Sequence, residues 1–162
     1  MRTLVLILLM TATVGMACSQ VPGFNGYLME EMEEIESGYF SNYPESGEIQ
    51  KKIENQLVFE EEWKLVHEGM SPIPEVPKIN FNTRDVILLM LETKPTGGFG
   101  IDNFEIYEND NQIGVRYSEV HPGDGCGTIQ ALTRPYKIVS IPKTEKDILF
   151  QKEETVINDC ND

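Results

Sequence analysis

Histidine and cysteine are scarce in this 162-residue chain, with two and three copies respectively. The histidines, His67 and His121, lie far apart in sequence, which leaves no histidine-rich ligand set for a transition metal. GxSxG, HExxH and a phosphate loop are all missing. Gly123-Asp124-Gly125 has neither the length nor the lysine of a phosphate loop. Glu108-Asn109-Asp110-Asn111 lacks the oxygen-ligand spacing of a calcium loop and reads as a polar hairpin turn. One thiol and imidazole, Cys126 and His121, are near enough in sequence to consider as nucleophile and base, yet no third residue is there to orient them. The sequence thus offers no catalytic residue, no metal site and no cofactor, and the expectation is a protein that is not an enzyme.

Basic residues are also few. Thirteen Lys and Arg face 27 Asp and Glu, for a formal net charge of −14. That balance repels phosphate backbones and anionic lipid surfaces, so nucleic acid is not an expected partner. It suits an acidic surface that keeps an exported protein soluble and monomeric when alone.

Long apolar runs are missing except at the start, where Arg2 precedes an unbroken apolar stretch from Leu4 to Met10 and then small residues up to Ala17-Cys18. The run is too short to span a bilayer and has the layout of a secretory leader over residues 1–17. Two readings of its end stay open. Cys18 directly after Ala17 suits acylation of the thiol, giving a lipid anchor on an outer membrane or cell surface. Gly15, where such sites usually carry Leu, Val or Ile, suits ordinary cleavage and a periplasmic protein. In either compartment disulfides persist, and Cys126 and Cys160 form an even pair once Cys18 is set apart. A Cys126–Cys160 bridge is therefore expected, with two unpaired thiols as the alternative.

About 145 residues follow the leader, the size of one ordinary domain. Residues 18–49 read as an acidic extension: Glu30, Glu31, Glu33, Glu34 and Glu36 crowd together between loop-like segments. Leu28, Met32 and Ile35 have helical spacing, so either a short amphipathic helix or a loosely held tether is expected. The compact domain is placed at residues 50–162. Gln56-Leu57-Val58-Phe59 reads as a short strand, and Glu60 to Glu68 as a helix ending at Gly69 with Trp63 and Val66 inward. The three prolines of Ser71-Pro72-Ile73-Pro74-Glu75-Val76-Pro77 exclude regular structure there.

Beyond Asp85 the pattern is β. Val86 to Leu91 is a continuous apolar run, as in a central strand buried on both faces, although periodicity alone leaves helix open. Phe104 and Ile106, then Ile113, Val115 and Tyr117, alternate with polar residues around Glu108 to Asn111, which is a hairpin. Further strands are read at Tyr136–Ile141 and Ile148–Lys152. The expected fold is mainly β within the α+β class, an antiparallel β-sandwich or open barrel of about six to eight strands with one short helix packed on it.

Three glycine- and proline-rich clusters punctuate these strands: Lys94-Pro95-Thr96-Gly97-Gly98-Phe99, His121-Pro122-Gly123-Asp124-Gly125-Cys126-Gly127 and Thr133-Arg134-Pro135-Tyr136. Loops of this kind are where a rigid β scaffold places recognition, and the plainer reading is a set of tight turns. The candidate partner-binding residues are Lys94, Pro95, Thr96, Gly97, Gly98, Phe99, Asp124, Arg134, Pro135 and Tyr136, with Phe99, Arg134 and Tyr136 as anchors. The alternative is that Phe99 and Tyr136 fill the core of a structural envelope component.

The order of a strand, Lys94 to Phe99, a hairpin, Pro122-Gly123-Asp124-Gly125-Cys126 and then Thr128 to Lys143 resembles the C-terminal domain of the PrcB protease-complex-subunit family. The likeness covers roughly residues 50–152, with Glu62-Trp63 on a helix and Val76 to Phe81 before the long strand. It departs at Asn80, where such proteins usually carry an acidic residue. The resemblance implies an exported β domain. The family's namesake is a non-catalytic lipoprotein subunit that associates with and stabilises a surface protease. A weaker, loop-level resemblance is to chagasin-like cysteine-protease inhibitors, which present a Thr-Gly turn, a glycine-rich loop and an Arg-Pro-aromatic turn at one end of an immunoglobulin-like sandwich. The short interval between Gly127 and Arg134 departs from that pattern. The expected function is a non-catalytic exported interaction protein that binds or stabilises another exported protein, a protease among the candidates. A protease inhibitor and a structural component are the alternatives.

Overall fold

Two separate interiors share the apolar run at Val86–Leu91. Val86, Leu88 and Met90 pack in one with Phe59, Trp63 and Val66, whereas Ile87, Leu89 and Leu91 face the other with Val115, Tyr117 and Val139. Alternate side chains of a strand leave it on opposite faces, so a strand covered on both sides has no polar position to spare. The run is the central strand of a three-layer arrangement of helix, sheet and sheet.

The computed structural model describes residues 25–160. The leader at 1–17 and Cys18 lie outside the described residues. In chain order the elements are β1 (Tyr27–Leu28), β2 (Glu33–Gly38), β3 (Ile49–Ile53), α1 (Gln56–Val66), β4 (Arg84–Met90), β5 (Gly100–Glu108), β6 (Gln112–Pro122), β7 (Tyr136–Pro142), β8 (Asp147–Lys152) and β9 (Val156–Asn158). One sheet has the order β2-β7-β4-β3, and the other has β1-β5-β6-β8 with β9 also paired to β6. The mainly β sandwich with a single helix matches the sequence expectation, and neither sheet closes into a barrel.

Three local readings are corrected. Gln56–Phe59 is the first turn of α1: Asn55 caps the helix, its Oδ1 accepting from Val58 N at 3.0 Å, and Phe59, Trp63 and Val66 then fall on one buried face. Leu28, Met32 and Ile35 form no helix, and residues 27–38 are no tether. β1 pairs with β5 and β2 with β7, so the folded unit begins well before residue 50. Ile35 packs on the helix-side core, and Met29 and Met32 on the one between the sheets. Three of the five crowded glutamates are given a cation or donor, Glu33 by Arg84 at 3.6 Å. Glu34 accepts from Lys137. Glu36 accepts from Tyr136 Oη at 2.5 Å and pairs with His67 Nε2 at 2.7 Å. Third, the sheets are not purely antiparallel. β8 and β9 run parallel to β6, because β7 crosses to the other sheet and the chain returns in the direction of β6.

The β5–β6 hairpin stands as read. Its turn is closed by Asn109, whose Oδ1 accepts from Asn111 N and Gln112 N, both at 2.9 Å. The expected Cys126–Cys160 bridge is present, with Cα atoms 5.2 Å apart, and it ties the segment after β9 to the loop after β6.

Candidate functional site

Three connections meet at one end of the sandwich: 39–48 after β2, 91–99 after β4 and 123–135 after β6. They converge there because Gly38 pairs with Tyr136 and Met90 with both Tyr136 and Ile49, which brings the ends of β2, β4 and the starts of β3 and β7 level. Backbone bonds then join the loops to each other. Lys94 and Thr133 exchange bonds of 2.7 and 3.0 Å, Gly97 N donates to Ile129 O at 3.0 Å, and Arg134 N donates to Tyr39 O at 2.7 Å. Gly98 holds φ +87°, and a Cβ there would stand 2.8 Å from the Pro122 ring, so the close approach of the two loops needs glycine.

Between these loops and the start of β5 lies an open groove of about 610 Å³ lined by Phe40, Phe99, Ile101, Val120 and Ile129, with Tyr39 at one edge. Tyr39 and Ile129 are 61% and 57% exposed, and Leu132 is 70% exposed on the same connection as Ile129. Aromatic and aliphatic side chains this exposed on a loop pinned by backbone bonds are available as contact surface without a large ordering cost.

Beneath Phe99 sits a buried ion cluster. The Lys94 ammonium contacts the Glu119 carboxylate, lies 3.2 Å from Glu92 and stands 5.6 Å from the centre of the Phe99 ring. Lys152 pairs with the other Glu119 oxygen, and His121 Nε2 lies 2.8 Å from Glu119 while its ring meets Phe99 edge-on at 5.0 Å. Burial works to raise the Glu119 pKa, but hydrogen bonds from Lys152, Lys94 and His121 outweigh it and bring it down to about 2. For Lys94 burial works downward, and the bonds it donates to Glu119 and Glu92 reverse this to a net rise. The cluster is electrically satisfied and fixes Phe99 from below.

The structure separates the candidate contact residues into two groups. Pro95, Gly98 and Asp124 are exposed and Thr96 and Phe99 half-buried, so these are reachable. Lys94, Gly97, Arg134, Pro135 and Tyr136 are buried, and their role as partner contacts is corrected. Arg134 is 3% exposed and donates Nε to Leu91 O at 3.1 Å, and Nη1 and Nη2 to Tyr43 O and Gly47 O at 2.7 Å each. Tyr136 packs in the helix-side core with its hydroxyl on Glu36. His67 is likewise a core residue, between Trp63 O and Glu36 at 2.7 Å each. Cys126 has no free thiol beside His121, because it is bonded to Cys160. The groove residues missed in the sequence are Tyr39, Phe40 and Ile129. The signal for the first two was an aromatic pair in an otherwise polar stretch.

The decisive comparison concerns the strands that carry these loops. Residues 86–142 match the PrcB C-terminal family. The PrcB C-terminal match runs from β4 to the end of β7 and includes both the 91–99 and 123–135 loops, together with Phe99 and Ile129 of the groove. Helix α1, β1–β3 and β8–β9 lie outside it. No curated protein and no solved structure matches the chain. The loop pattern shared with chagasin-like inhibitors is reduced by the topology. The glycine loop and Arg134-Pro135-Tyr136 belong to one connection with no strand of either sheet between them, and the third turn is buried.

Proposed function

We propose that this chain is a non-catalytic, exported interaction protein whose groove at the loop end of the sandwich holds another protein of the cell envelope, a component of a protease complex. The observation that carries the reading is the exposed apolar lining of that groove, Tyr39, Phe40 and Ile129, on loops locked to each other by backbone hydrogen bonds. The PrcB C-terminal match supports the association with a protease complex. Export rests on the leader at 1–17, and attachment to a membrane rests on Cys18.

The test places a photo-crosslinking phenylalanine analogue at position 40 of the full-length chain, expressed in the cells it comes from, with the same analogue at Leu57 as control. Leu57 is also exposed, at 74%, but lies on α1 away from the groove. A crosslinked envelope protein from position 40 that is missing from position 57 is the expected result. Equal products from both positions, or none from 40, would count against the groove. Metabolic labelling with a radioactive fatty acid, lost in Cys18→Ser, tests the anchor.

A further inference from the structure

The wall of the groove formed by β5 is an unpaired sheet edge. β5 is bonded to β6 along its inner side, Gly100 opposite Val120 and Asp102 opposite Ser118. On its outer side β1 covers only Tyr107 and Glu108, and Met29 N donates a last bond to Ile106 O at 2.8 Å before the chain turns away to β2. Among the described residues nothing pairs with the outer side from Glu105 back to Gly100; Gly100 itself is buried, Ile101 is half-buried and Asp102 and Asn103 are exposed, so the reachable part of the edge begins at Ile101. Of the β1 residues Tyr27 pairs nearer the hairpin turn than Leu28 does, opposite Glu108 and Tyr107 respectively, so β1 itself lies away from that stretch.

Main-chain donors and acceptors along such an edge are satisfied most fully by another extended chain. The edge is also limited in length. A register shift between Asp102 and Glu105, with Asn103 at φ +47°, bends the strand and ends regular pairing after Asp102. A long sheet cannot grow there, but a short segment is accommodated. Gly100, Ile101 and Asp102 are the β5 residues that line the groove, so side chains of an added strand would fall among Phe40, Phe99 and Ile129. Asp102 is the one carboxylate among the described residues that line the groove, and no lysine or arginine is among them. On a chain of net charge −14 that choice favours a basic segment.

We infer that the occupant of the groove is a short extended segment of the partner polypeptide that adds as a strand to β5 alongside Ile101–Asp102, with a Lys or Arg set against Asp102. This inference rests on the interaction reading above and specifies what the groove holds.

The probe is an acetylated, amidated peptide of sequence Lys-Val-Thr-Val-Lys, titrated into the full-length protein labelled with nitrogen-15. Amide shifts confined to Gly98–Asp102, Phe40 and Ile129, with at least one amide of Gly100–Asp102 exchanging about tenfold more slowly at saturation, are expected. A second peptide with proline at the central position lacks a main-chain donor and should lose binding. Asp102→Lys, at an exposed position, should weaken the first peptide about fivefold and flatten its salt dependence. Shifts elsewhere, equal binding of the proline peptide, or unchanged affinity in Asp102→Lys would overturn strand addition. A crosslink from position 40 with no response at Gly100–Asp102 would overturn strand addition alone. The absence of both would overturn the interaction reading as well.

Discussion

Replacing Arg134 by alanine should cost this protein a large part of its stability, although a sequence reading makes the same residue a surface anchor. The guanidinium is buried and donates to three carbonyls on two separate connections: Leu91 just after β4, and Tyr43 and Gly47 between β2 and β3. It also stands 5.6 Å from the centre of the Tyr43 ring, and among the described residues no carboxylate pairs with it. A hydrogen bond to a charged group contributes about 1.5–3 kcal/mol, and part of that sum is offset by removing the desolvation cost of a buried charge. A net loss of about 3–4 kcal/mol follows, against a total stability of about 5–15 kcal/mol for a domain of ordinary size. With a urea m-value near 2 kcal/mol/M, the unfolding midpoint falls by about 1.5–2 M. Arg134→Lys keeps the charge but places one ammonium where three donors diverge, so it should recover less than half of the loss. The assay is equilibrium urea unfolding followed by Trp63 fluorescence, with Cys126–Cys160 oxidised in every sample. A midpoint shift below about 0.5 M at unchanged m-value would refute the argument, because it would mean that the three carbonyls find equivalent partners in water.

Glu119 sets a pH dependence. Its folded pKa of about 2 lies below the ordinary 4.5, so its contribution is full above pH 4.5 and is lost as pH falls toward 2. The size is about 3 kcal/mol. Glu119→Gln should flatten the stability profile across that window, which urea midpoints at stepped pH will read. Gly98→Ala forces a side chain onto φ +87° and into Pro122, and should lower stability by about 1–2 kcal/mol while shrinking the groove. A thermal melt and the crosslink from position 40 check both parts. Reducing Cys126–Cys160 should free β9 first, since the bridge lies just beyond it and β9 pairs only with β6. Hydrogen exchange at Val156–Asn158 should speed up on reduction while β4 and β7 keep their protection, and uniform loss would show instead that the bridge holds the whole fold.

The core strands were legible because burial leaves a compositional trace. Val86–Leu91 and the alternation around Glu108–Asn111 admit few other folds once a single helix is allowed. The N-terminal stretch was not legible, because its glutamates look solvated until Lys137, Tyr136 and His67 are brought to them by the β2–β7 pairing, more than thirty positions away even for the nearest. Gln56–Phe59 was misread because a four-residue apolar cluster cannot show its period, and the deciding group, the Asn55 cap, lies just outside it. At the candidate site the glycines and prolines marked the right loops, but they could not show which side chains face outward. Arg134 and Tyr136 look like anchors by residue type, and three carbonyls and a glutamate turn them inward. Tyr39 and Phe40 carry only a local aromatic pair, and Ile129 carries no motif at all.

Asn25, the first described residue, lies at the far end of β5 from the groove. Asn109 at the hairpin turn donates its Nδ2 to Asn25 O at 3.1 Å, whereas the groove opens at Gly100. β5 is nine residues long, which separates the two by about 26 Å. From Cys18 to Asn25 the backbone reaches at most about 25 Å. A lipid on Cys18 would therefore make the molecule a short post standing on the bilayer. The hairpin turn would be its foot, acidic charge would keep its sides off anionic headgroups, and the β5 edge would be held at the top, facing proteins that approach from the aqueous side.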